Sequence, residues 1–159
     1  LLLARPRLRT LLWTLSGFTV AHSLTLGLMA FGTVSAPAAL IEPLIGLSVA
    51  VVAVDNLRPR ATRGSTRWLL VLGFGLIHGF GFAGAIADQV PDGANLWPWL
   101  LAFNLGVECG QIAFALVAGG ALWLLAHLKL DRRPLMWAGN AALAMLGMFW
   151  VVGRIVPNL

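Results

Sequence analysis

Two imidazoles and one carboxylate lie deep inside long apolar runs: His22 in FTVAHSLTL, His78 in FGLIHGFGF and Glu108 in FNLGVECGQ. These groups can exchange protons, or they can bind a divalent transition metal through nitrogen and oxygen. In an apolar run neither chemistry is cheap. A charged or strongly polar side chain at the centre of a membrane helix costs about 2.5–3.5 kcal/mol on insertion scales, so such residues usually face a bundle interior or a polar cavity.

The neighbours extend the pattern. Asn104, Glu108 and Gln111 follow i, i+4, i+7 spacing and share one helix face; Thr19, His22 and Thr25, at i, i+3, i+6, share another. Glu108 lies within Gly106-x-x-x-Gly110, and His78 is the last variable position of Gly75-x-x-x-Gly79. Small residues at that step let helix backbones approach closely. Gly73, Gly81 and Gly84 enlarge the small face around His78. The expectation is that these two glycine faces meet and bring His78 and Glu108 within reach of each other. Asp55, one turn from the end of its run, is a candidate gate or inlet ligand.

Each group also has a plainer reading. A deep histidine can simply hydrogen-bond a neighbouring helix, and Glu108 can be held by His78 alone. Asn104 and Gln111 read as interhelical glue, and Asp55 with Asn56 as a helix end at the headgroups. Glu42 reads as an exposed acid at a helix N-terminus, His127 as interfacial, and Cys109 as a small buried side chain.

The elements that must position these groups follow from composition. The chain has 159 residues, of which 59% are hydrophobic and 11% charged, and its mean hydropathy is +0.87. A soluble domain would carry roughly 25% charged residues. Apolar runs of 18 or more residues read as membrane spans, and five are expected, over 10–34, 41–57, 67–87, 97–128 and 135–155. Turn and breaker residues separate them: Gly32 to Pro37 with Pro43, then Arg58-Pro59-Arg60, Pro91-Asp92-Gly93, and Asp131 to Pro134. The fourth span is long enough to tilt or to extend beyond the bilayer. The fold class is therefore all-α, a polytopic transmembrane helix bundle forming a single domain over 1–159. The lone cysteine excludes an intrachain disulfide and a multi-thiolate zinc site.

Charge orients the bundle. Arg5, Arg7 and Arg9 precede the first span, Arg58, Arg60, Arg63 and Arg67 join the second to the third, and Lys129, Arg132 and Arg133 join the fourth to the fifth. Only Arg154 among the 11 basic residues falls elsewhere. The opposite face holds Glu42, Asp88 and Asp92. The positive-inside rule then predicts an N-in, C-out arrangement. Trp97 and Trp99 suit an aromatic belt on the far face, and Trp68 one on the near face. The excess positive charge sits at helix ends, which argues against nucleic acid as a partner. Counting from the span ends, His22, His78 and Glu108 each lie roughly 16–18 Å into a core of about 30 Å, near its midplane. Alternating-access carriers hold substrates and coupling ions at that depth. There is no phosphate-binding glycine loop and no His-Glu-x-x-His motif.

FTVAHSLTL, VAVDNL, FGLIHGFGFA and LLAFNLGVECGQ, in that order, resemble the motifs of the HupE/UreJ family of bacterial membrane proteins, in its shorter-motif branch. The resemblance runs from about Leu11 to Arg154. It implies a secondary permease for nickel or cobalt, multi-pass in the bacterial inner membrane. The metal path would be lined by His22, Asp55, His78 and Glu108, with Asn104, Gln111, Thr19 and the paired glycines in support. The metal ion would be cargo, with no tightly bound cofactor, and other membrane subunits or further copies of the chain are possible partners beside the lipid. Two departures from the family pattern stand out. An earlier helix with a Gly-x-Asp-His motif is expected upstream of Leu1 as a sixth span, and Asp55 stands where glutamate is expected. Two other functions fit the same residues: a non-transporting accessory subunit of a larger membrane complex, and a haem- or quinone-binding subunit using His22 and His78 as axial ligands.

Overall fold

The computed structural model describes residues 8–58, 65–87, 89–91 and 94–156. Within them five helices follow one another: α1 (Leu8–Ala30), α2 (Ala38–Leu57), α3 (Ser65–Ala87), α4 (Leu96–His127) and α5 (Arg133–Ile155). Each is long and apolar enough to cross a membrane. Arg5, Arg7, Arg60, Arg63, Asp88 and Asp92 of the charge pattern lie outside the described residues, as does the expected span upstream.

Local chemistry explains where the helices differ from the sequence reading. The first ends at Ala30, four residues short of the expected boundary. Gly32 adopts a left-handed φ of 69°, and its N–H and that of Thr33 turn back to the Met29 and Leu28 carbonyls at 2.9 Å each. This is the glycine-closed turn that satisfies the last carbonyls of a helix. Pro43, expected in the break before α2, lies inside it. There its missing N–H removes only one intrahelical bond near the end. Pro134 opens α5 instead of ending α4, where its fixed φ suits a first turn. Asn95 caps α4 by accepting from the Trp97 N–H at 3.1 Å. At 32 residues, α4 is about 48 Å long and exceeds an apolar core of about 30 Å.

Packing divides the bundle into two seams. α1 packs along α3 and α2 along α5, with smaller contacts of α2 on α3 and α1 on α4. Both seams depend on glycine. A Cβ at Gly46 would stand 2.8 Å from the Gly147 carbonyl oxygen, and one at Gly147 would stand 2.6 Å from that of Gly46. A Cβ at Gly75 would stand 2.8 Å from the Phe18 carbonyl oxygen, and one at Gly79 would overlap Thr25 Oγ1 and the His22 carbonyl. Where lipid tails are as apolar as leucine, such close approach supplies the dispersion contacts that hold helices together.

The expected meeting of the glycine faces of α3 and α4 does not occur. Gly75 and Gly79 face α1, while nothing among the described residues lies within 4 Å of the Cβ position at Gly106 or Gly110. Helical phase gives the reason on α4. Glu108 is two residues from each glycine and so about 160° around the helix from both. The glycine face and the Glu108–Asn104–Gln111 face are opposite sides of α4, and α1 takes the polar one. Cys109, expected to be buried, is exposed. α3 and α4 do touch toward the Trp97 end, where Ala83, Ile86 and Leu100 form a core cluster with Leu26.

Candidate polar site within the bundle

α1 carries the most buried polar side chain of the site. His22 is 1% exposed because α3 and α4 close over it from two sides. Its ring stacks with Phe18 at 6.1 Å and with Phe103 of α4 at 6.1 Å, and it meets the Phe82 edge from α3 at 5.6 Å. Neither ring nitrogen has a hydrogen-bond partner among the described residues. A buried polar atom left unsatisfied costs about 1–3 kcal/mol, and histidine has two.

His78 sits one aromatic ring away. The Phe18 ring is 5.4 Å from His78 in an edge contact and stacks on His22, so one side chain touches both imidazoles. His78 Nε2 lies 2.9 Å from the Ser48 hydroxyl of α2. His78 and Ser48 line a cavity of about 300 Å³ with Thr14, Asn56, Gln111 and Asn140. A second cavity of about 550 Å³ shares Asn56, Gln111 and Asn140 and opens between α4 and α5. Polar points in an otherwise apolar hollow thus lead from the Arg67 end of the bundle toward His78.

The flanking residues lock α1 to its neighbours. The Thr25 hydroxyl donates to the Leu76 carbonyl of α3 at 2.8 Å, passing close over Gly79. Ser23 Oγ lies 2.6 Å from Asn104 Oδ1, and Thr19 Oγ1 lies 3.3 Å from Gln111 Oε1. Asn104 and Gln111 therefore join α4 to α1, as the glue reading has it. Thr19 and Thr25 point to α4 and α3 respectively, with His22 between them.

The four proposed metal ligands do not converge. Among the described residues no three histidine, cysteine, aspartate or glutamate side chains come together as a metal site. The expected pairing of His78 with Glu108 is replaced by the bond to Ser48, and Glu108, half-buried on α4, forms no ion pair or hydrogen bond among the described residues. Asp55 belongs to the other end of α2. Its Oδ2 lies 4.0 Å from Arg67 Nη1, and it faces a hollow separate from the one lined by His78.

Several residues enter the site that the sequence had not marked as site candidates. Arg67 Nη2 donates to Asn56 Oδ1 at 3.0 Å, Asn56 Nδ2 donates to Asn140 Oδ1 at 3.1 Å, and Asn140 Nδ2 donates to the Met136 carbonyl at 2.8 Å. This chain ties α3, α2 and α5 at the mouth of the cavity. An amide in the apolar run of α5 was the available signal for Asn140. Ser48 and the aromatic box of Phe18, Phe82 and Phe103 had none, because serine and phenylalanine are ordinary in membrane helices. Glu42, read as an exposed acid, accepts from Arg154 Nε at 2.8 Å, which accounts for the one basic residue outside the charge pattern. His127 stacks on Trp123 with ring centroids 5.4 Å apart.

The family model described as HupE/UreJ protein matches residues 1–154, essentially the whole chain. Neither the curated proteins nor the solved structures contain a match.

Proposed function

The chain belongs to the HupE/UreJ family of membrane proteins, and from that premise we propose that it is a secondary permease for nickel or cobalt. The observation that carries the reading is His22: an imidazole closed inside the bundle whose nitrogens have no hydrogen-bond partner among the described residues, sharing the Phe18 ring with a second imidazole. Nickel(II) and cobalt(II) accept imidazole nitrogen readily. The two histidines form the central station of the proposed route. Asp55 and Glu108 are separate carboxylate stations along it, one at the Arg67 end and one on α4. An incomplete shell suits conduction, since an ion bound too tightly does not leave. The membrane is the bacterial inner membrane and the Arg67 end is cytoplasmic in this reading, following the basic loops.

The test is nickel and cobalt uptake into proteoliposomes by the full-length protein, with His22→Ala, His78→Ala and Glu108→Gln as comparators. Loss of flux in both histidine variants, in protein that stays folded, supports the permease. Flux no greater than in empty liposomes, for every divalent ion tried, overturns it and leaves an accessory role in a larger membrane complex as the next reading.

A further inference from the structure

Ser48 is 3% exposed, and its hydroxyl faces two groups at once. Oγ is 2.7 Å from the Ile45 carbonyl oxygen one helical turn earlier and 2.9 Å from His78 Nε2. A serine hydroxyl has one hydrogen and two lone pairs. Two oxygens 2.7 Å apart need a hydrogen between them, and a carbonyl has none to give. The serine hydrogen is therefore on the Ile45 side, and a lone pair of Oγ faces His78. An imidazole nitrogen opposite that lone pair must carry a hydrogen, so Nε2 is the donor. A neutral His78 then has its free lone pair on Nδ1.

We propose that Ser48 is a positioning residue that holds His78 as the Nε2–H tautomer and so makes Nδ1 the nitrogen offered to the nickel or cobalt ion. The metal half of this inference rests on the permease reading; the tautomer half rests on the α2–α3 geometry alone. The nitrogen of a histidine that binds metal is set by the hydrogen bond made by the other. Here that bond comes from a different helix, so the choice of ligand atom depends on α2 packing against α3. The device is stiff at both ends. The hydroxyl is anchored to its own helix backbone, and the Phe18 edge lies against the His78 ring at 5.4 Å.

The test is nitrogen-15 NMR of the full-length, histidine-labelled protein without metal, with His78 assigned by comparison with His78→Gln. A protonated Nε2 and a bare Nδ1 are expected in the wild type. Ser48→Ala should weaken that preference and speed exchange of the Nε2 hydrogen, while Ser48→Thr, which keeps the hydroxyl, should retain it. A protonated Nδ1 with bare Nε2, or a His78 spectrum unmoved by Ser48→Ala, overturns the inference whatever the transport result. Added cobalt(II) should broaden the Nδ1 signal first, and Ser48→Ala should raise the apparent KM for uptake about tenfold, the lower end of what lost outer partners cost metal sites. Cobalt that leaves both His78 nitrogens unperturbed in protein that still takes up the metal overturns the metal half alone; the permease reading falls only with the uptake itself.

Discussion

Gly75-x-x-x-Gly79 and Gly106-x-x-x-Gly110 are the same step in two helices, and the bundle uses them in opposite ways. On α3 both glycines press against the α1 backbone; on α4 both are open. The difference lies in what else each helix offers. α3 has His78 near its glycine face and an α2 serine ready to bond it, so α1 can pack against the glycines while α2 takes the imidazole. α4 has its amides and Glu108 on the side away from its glycines, and α1 binds the amides through Ser23 and Thr19. Hydrogen bonds that remove polar groups from lipid outweigh an unspecific small face. A glycine step permits close packing without choosing the partner.

Substitutions can break this contrast. Gly79→Val forces a side chain into Thr25 and the His22 carbonyl, and should cost about 3 kcal/mol or more, beyond ordinary overpacking because backbone must move. Unfolding in a mixed-detergent titration reads this directly, and a Gly79→Val protein as stable as wild type would dissolve the seam described for α1 and α3. His22→Leu should act in the reverse sense on stability. It removes two unpartnered nitrogens from an aromatic box and should stabilise by about 1–2 kcal/mol, yet abolish metal uptake. Retained uptake in that variant would remove His22 from the route.

Asn140→Ala tests the other seam, where the amide chain closes one end of the cavity. A loss of about 1 kcal/mol is expected, since interhelical polar bonds in membranes average well under 2 kcal/mol. A smaller contrast concerns how the helices end. α1 closes with Gly32 in the left-handed region, whereas α4 makes the same kind of turn with Lys129 at φ 55°, its N–H and that of Leu130 reaching the Ala126 and Leu125 carbonyls. Left-handed backbone is unfavourable for a residue with a Cβ, so Lys129→Gly should raise stability by about 1 kcal/mol. Last, Gly106→Val and Gly110→Val should each stay within about 0.5 kcal/mol of wild type, as substitutions at uncontacted positions do. A large loss in either would mean that a partner covers the outer face of α4 in the membrane.

The spans themselves were legible, because runs of apolar residues interrupted by Gly, Pro and charge follow from the exclusion of unpaired backbone groups from lipid. The residual boundary errors trace to single residues: Gly32 stops α1 early, and Pro43 sits within α2. The polar residues were legible as unusual, and His22 and His78 both contact the Phe18 ring. Their partners were not. His78 pairs with Ser48 rather than Glu108, and Asp55, read near the end of its span, lies beside Arg67.

The sequence by itself determined a membrane-spanning helical bundle with buried imidazoles, since burial costs depend on residue type and depth and need no knowledge of neighbours. Only the tertiary structure decided which helix faces which. Helix rotation and pairing depend on the summed contacts of whole faces. Those sums placed α1, not α4, against the glycines of α3, left the His22 nitrogens without a hydrogen-bond partner among the described residues, and gave His78 a hydroxyl from α2.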